Sequence, residues 1–110
     1  MLEATLPSVS NMLAICSSDS STEQFFLLLS TPTLRLEKIE SHGCATPIGY
    51  WYDREDTEWV MLVTGSAILA FESGNLLSLK AGDYVTLPPH CKHRVEWCSE
   101  EASWLVLHCN

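Results

Sequence analysis

From Thr33 to the C-terminus the chain is cut by turn-forming residues at short intervals: Gly43, Gly49, Gly65, Gly74-Asn75, Ala81-Gly82-Asp83 and Pro88-Pro89. The segments between these marks are short for helices, whose mean length is about eleven residues. Several are rich in Val, Leu, Trp and Tyr, so they read as strands: Leu34 to Glu40, Tyr50 to Tyr52, Glu58 to Val63, Ala67 to Glu72, Leu76 to Leu79, Tyr84 to Leu87, His93 to Cys98 and Trp104 to Cys109. No room is left for the crossover helices of a parallel α/β sheet. The expected fold class is all-β, a sandwich or barrel. Leu34 to Glu40 fits least well, because alternation puts Lys38 on the face of Leu34 and Leu36.

The first thirty residues have a different texture. The polar stretch Ser17 to Glu23, followed by the apolar Phe25 to Leu29, resembles a capped helix start and predicts one short helix there. Leu2 to Cys16 carries apolar residues without a clean period and reads as an arm. The expected organisation is therefore an arm and short helix over residues 1–30, packed on a barrel over residues 31–110.

Six Lys and Arg against fourteen Asp and Glu give a net charge of −8, which argues against nucleic acid or an anionic membrane as a partner. With 46% hydrophobic and 18% charged residues, the chain has material for a core and too little charge for intrinsic disorder. No basic leader, signal-length apolar run or membrane-length apolar stretch is present, so the expected location is the cytoplasm. The cysteines, Cys16, Cys44, Cys91, Cys98 and Cys109, are odd in number and form no C-x-x-C pair, which predicts reduced thiols rather than a disulfide framework or zinc finger.

Two stretches carry chemistry as well as fold. In Glu58-Trp59-Val60-Met61-Leu62-Val63-Thr64-Gly65 an acidic residue opens an apolar strand that ends in a glycine turn. Alternation groups Glu58 with Val60 and Leu62, and a carboxylate in such company needs a cation, a metal or hydrogen-bond donors to stay charged. In Gly82 to Trp97 a short strand is stopped by Pro88-Pro89, and the loop delivers His93 at the head of the next strand, on the expected face of Val95 and Trp97.

These two stretches resemble the paired motifs of the cupin superfamily, small β-barrels of jelly-roll type. Glu58-x6-Gly65 matches the second half of the first motif, G-x5-H-x-H-x3,4-E-x6-G. Gly82-x5-Pro88 and then His93 match the second, G-x5-P-x-G-x2-H-x3-N. The wording Asp56-Thr57-Glu58-Trp59-Val60 and His93-Arg94-Val95-Glu96-Trp97 is similar to a subgroup of small cupins associated with mannose-6-phosphate isomerase. The resemblance implies a pocket inside the barrel, a divalent metal (zinc, iron, manganese or nickel) and a homodimer. The chain departs from the motifs where the two first-motif histidines should stand: it has Tyr52 and Arg54. The second-motif Gly and Asn are His90 and Trp97.

Three arrangements stay open. Glu58 and His93 hold a metal with recruited ligands such as Tyr52, His90 or His42. Alternatively, the Arg54 guanidinium takes the metal's place, pairs with Glu58 and offers a cationic fork to a carboxylate or sugar phosphate. In the third, Arg54 is a solvated charge in the acidic loop Asp53 to Asp56. The ligand-binding candidates are Tyr52, Arg54, His90 and Trp97; the catalytic and metal candidates are Glu58 and His93. His42 and His108, lacking a motif, read as ordinary histidines. Cys91 has basic neighbours but no assigned partner for nucleophilic work. In function these arrangements correspond to a metal-dependent enzyme of isomerase, epimerase or dioxygenase type, a metal-free binding module for a small polar or anionic metabolite, and a regulatory dimer.

Overall fold

The computed structural model describes residues 6–14 and 22–110. Eight strands follow one another: β1 (Gln24–Thr31), β2 (Leu34–Glu40), β3 (Thr57–Thr64), β4 (Ser66–Phe71), β5 (Leu76–Lys80), β6 (Tyr84–Leu87), β7 (His93–Cys98) and β8 (Ser103–Cys109). They form a five-stranded sheet, ordered β1-β2-β8-β3-β6, and a three-stranded sheet, ordered β5-β4-β7. All pairings are antiparallel, as expected for a jelly roll. Of the segment Tyr50 to Tyr52 only Tyr52 pairs, through a single bridge to His93.

The helix expected over Phe25 to Leu29 is not formed; those residues lie in β1. A run of Phe and Leu suits either state, and pairing decides it. Pro32 and Thr33 turn the chain so that Thr31 faces Leu34, and β1 then runs back along β2 to Gln24 opposite Glu40. The polar start of the expected helix, residues 17–21, lies outside the described residues, as do residues 1–5, 15 and 16 of the expected arm.

Lys38 shows how β2 accommodates its charge. Arg35, Glu37 and Ile39 point between the sheets, so Lys38 points out, yet it is only 3% exposed. Its ammonium donates to the Met12 carbonyl at 2.8 Å and lies 3.9 Å from Glu40. The described part of the arm thus supplies a backbone acceptor to a buried cation, which would otherwise be costly to desolvate.

Between the sheets lies one core, built on Leu62, Leu69, Leu87, Trp104 and Val106. Leu62 is completely buried, a contribution of about 1.5–3 kcal/mol from its side chain. Trp104 donates its indole N–H to Ser41 Oγ at 2.9 Å, and Ser41 in turn donates to Glu23 at 3.0 Å. That chain of hydrogen bonds satisfies the indole where water cannot reach. Cys44, Cys91, Cys98 and Cys109 are free thiols; Cys16 lies outside the described residues. Among the described residues no helix is long and apolar enough to cross a membrane.

Candidate functional site

A cavity of about 410 Å³ opens between the two sheets. Its apolar wall includes Val60, Leu69, Leu87, Val95 and Val106, and its polar groups include Tyr52, Arg54, Glu58, His93 and His108. A half-open, largely apolar pocket with a few convergent polar groups is the usual form of a small-molecule site.

Glu58 sits between two imidazoles. Its Oε1 is 3.0 Å from His93 Nε2, and its Oε2 is 3.6 Å from His108 Nδ1. Strand geometry explains the meeting: Glu58 on β3 is the register partner of His108 on β8, and His93 enters from the opposite sheet. The far nitrogen of each ring is also held. His93 Nδ1 is 2.8 Å from the Cys91 carbonyl, which can only accept, so Nδ1 carries the hydrogen. His108 Nε2 is 3.2 Å from Glu37 Oε1. Both near nitrogens are thereby directed at one carboxylate.

Burial disfavours a charge on His93, but the Glu58 carboxylate beside it, reinforced by the Cys91 carbonyl, outweighs that and raises its pKa above the ordinary value. Tyr52 stacks on His93, with ring centroids 5.6 Å apart. Burial, with the negative charge of Glu23 next, pushes its phenol pKa up.

Arg54 lines the cavity but does not pair with Glu58 as one sequence alternative required. Its Nε and an Nη donate to Asp56 at 2.8 and 3.2 Å, a two-point fork. That hydrogen bond holds the Asp56 carboxyl below its usual range. The loop is thus more than a solvated charge run.

Two ligand-binding candidates are not brought into this cavity. His90 turns to Asp53, at 2.8 Å, and lies on the outer groove formed with Glu72 and Leu77. Trp97 was expected on the face of His93 and Val95 but is 48% exposed. The reason is a β-bulge: Leu69 pairs with Val95 and Ile68 with Trp97, leaving Glu96 unmatched. The extra residue reverses the alternation, so Cys98 points inward instead.

The sequence reading missed His108, Glu37 and Glu23. For His108 the signal was there: Trp104, Val106 and His108 alternate on β8, and the first two are core residues. Glu37 follows from the same period with Ile39. Glu23 precedes β1 and left no such trace.

A metal of the kind the motifs imply finds a reduced donor set. Glu58 and His93 are in place, but Arg54 has no lone pair to give. Among the described residues no three His, Cys, Asp or Glu side chains group as a metal centre. The residues present do not fit the four-ligand site.

Known structures agree with this architecture. A proposed mannose-6-phosphate isomerase from Ralstonia eutropha JMP134 is 37% identical, covers 94% of this chain and 99% of its own, and superposes with a TM-score of 0.87. An RmlC-like cupin from Desulfovibrio desulfuricans, 13% identical, covers 94% and 97% with a TM-score of 0.76. The chain belongs to the cupin superfamily. A further cupin superfamily protein, from Desulfitobacterium hafniense DCB-2, is 12% identical over 94% of both chains, with a TM-score of 0.78, and shows the shared fold. No protein-family model and no curated protein matches this cupin.

Proposed function

We propose that this cupin binds a small polar or anionic metabolite in the cavity between its sheets and moves a proton on it, as an isomerase or epimerase does. The observation that carries this reading is the 3.0 Å approach of Glu58 and His93 among apolar walls. A carboxylate and an imidazole this close supply a base and, with the ring protonated, an acid. The base takes a proton from the hydroxyl-bearing carbon beside the ligand's carbonyl, the C–H electron pair becomes the C=C bond of an enediol, and the acid gives a proton to the former carbonyl oxygen. Returning a proton to the former carbonyl carbon while the other hydroxyl gives up its own yields an isomer; returning one to the other face of the original carbon while the first oxygen gives up its proton yields an epimer. Apolar surroundings strengthen the charges that act in this step.

Arg54 is the anchor for an anionic group, because its second Nη stays outside the fork to Asp56. A carboxylate or a sugar phosphate fits such an anchor. The 37% identical relative, a proposed mannose-6-phosphate isomerase, favours the sugar phosphate.

The same reading includes a homodimer. Among the described residues β1 is an edge strand paired only with β2, and it exposes Phe25 and Leu27 on its cavity side. An uncharged apolar edge is ordinarily covered.

A second reading, a metal-free binding module or regulatory dimer without catalysis, is favoured by the cation Arg54 at a metal-ligand position of the motif. Incubation in D₂O with mannose 6-phosphate and other aldose and ketose phosphates separates the two. Exchange of carbon-bound hydrogen, seen by NMR and abolished in Glu58→Gln and His93→Ala, supports catalysis. Thermal stabilisation by the same compounds without exchange supports binding alone.

A further inference from the structure

We propose that His108, oriented by Glu37, is a ligand-contacting residue that reads hydroxyl groups, so the ligand of this cavity is a polyhydroxy compound. This deepens the function proposed above and rests on its placement of the ligand between the sheets.

The argument begins with hydrogen-bond accounting. His108 is 7% exposed and lines the cavity, yet its Nδ1 has no hydrogen-bond partner among the described residues. Glu58 Oε1 is in the same state: the 3.0 Å approach of His93 Nε2 is not aligned as a hydrogen bond. Leaving a buried polar atom unpaired costs about 1–3 kcal/mol. Two such atoms in one cavity mark a place where a partner is expected.

The identity of that partner follows from what the two atoms lack. Glu37 is a carboxylate, so His108 Nε2 donates to it at 3.2 Å and Nδ1, 3.6 Å from Glu58 Oε2, is the ring nitrogen left for a ligand. Glu58 Oε1 belongs to a carboxylate and accepts. The cavity therefore presents a carboxylate oxygen that requires a donor and an imidazole nitrogen that requires a partner, and a hydroxyl can serve both kinds of atom. An anionic group supplies no donor and is repelled by Glu58, so it must turn toward the arginines. Hydroxyl groups supply one donor each, and their carbon skeleton can pack on Val60, Val95 and Val106. Two hydroxyls on one small molecule satisfy both atoms.

Glu37 fixes the arrangement. Lying 3.6 Å from Arg35 and 3.2 Å from His108, it stays in place to hold Nε2–H and so keeps Nδ1 turned to the ligand. It is a positioning residue, and His108 makes the contact.

The test compares sorbitol 6-phosphate with hexyl phosphate by calorimetry on the full chain. The two share an anion and a six-carbon chain and differ in hydroxyls. The polyol phosphate is expected to bind more tightly by about tenfold or more, the worth of one buried hydrogen bond. His108→Ala is expected to cut the preference by about tenfold, leaving what Glu58 contributes, and Glu37→Gln to narrow the gap. In the parent protein, long-range ¹⁵N NMR should show His108 Nδ1 moving with sorbitol 6-phosphate and not with hexyl phosphate, a readout that needs no variant to fold. Equal binding of the two probes, binding of neither, or a preference undiminished by His108→Ala would overturn the inference. His108-dependent binding of the polyol phosphate, with no hydrogen exchange on any sugar phosphate, would uphold it and remove the catalytic reading instead.

Discussion

Tyr52 and His93 are joined twice. Their rings stack at 28°, and their backbones exchange two hydrogen bonds of 2.8 and 3.1 Å. The loop before β3 is thereby fastened to the head of β7, and His93 is held against Glu58 by a segment distant in sequence.

The first prediction concerns that pair. His93 has its pKa raised in the fold, against burial, by the Glu58 carboxylate. Its contribution to stability is complete below the unfolded value of about 6.5 and is lost as pH rises through the folded value. Urea unfolding across pH 5 to 9 should show this decline in the parent protein and a flatter profile in Glu58→Gln. An NMR midpoint for His93 at or below that of free histidine would count against the pairing.

Arg54 leads to a test of the vacated ligand position. Elemental analysis of untagged parent protein is expected to find zinc, iron, manganese and nickel together well below one equivalent. Arg54→His restores an imidazole four residues before Glu58, and metal content should rise towards an equivalent. A full complement in the parent that falls in Glu58→Gln and His93→Ala would show that other residues rebuild the site.

Gly65 closes the turn from β3 to β4 with φ of +83°. A Cβ there would stand 2.9 Å from Ala102 Cα and press on Ser99 Oγ, whose oxygen accepts from Ser66 N at 3.0 Å. Gly65→Ala combines left-handed strain with a backbone clash and should cost about 2 kcal/mol or more in urea unfolding. A loss under about 0.5 kcal/mol would mean the turn re-forms with little strain.

The β1 edge makes the dimer testable. Sedimentation velocity is expected to show a dimer that Leu27→Lys dissociates, a charge on an edge being a common block to strand pairing. Since each copy carries −8, association should tighten with added salt. A parent protein that stays monomeric across the concentration range would dispose of it.

Much of this architecture was legible because punctuation fixes strands. Gly82 and Pro88 bracket β6, and the Pro-rich loop delivers β7 at His93, where the sequence placed it. β1 was not legible, since Phe25 to Leu29 satisfies helix and strand alike and only pairing with β2 chooses. At the site, Glu58 and His93 came from motif spacing, which carries long-range order. His108 needed the simpler argument of alternation from Trp104 and Val106. Trp97 went astray because an unmatched residue in a strand has no signature in composition or spacing.

That unmatched residue, Glu96, gives β7 an unusual property as a lineage diverges. Losing its codon would put Val95 next to Trp97 in regular alternation, so Trp97 would still face outward opposite Ile68 and Cys98 inward opposite Ala67, with His93 and Val95 in their present places. Elsewhere in a strand a one-residue deletion turns every later side chain to the opposite face; here it would only remove the bulge and leave the inward set of β7 unchanged.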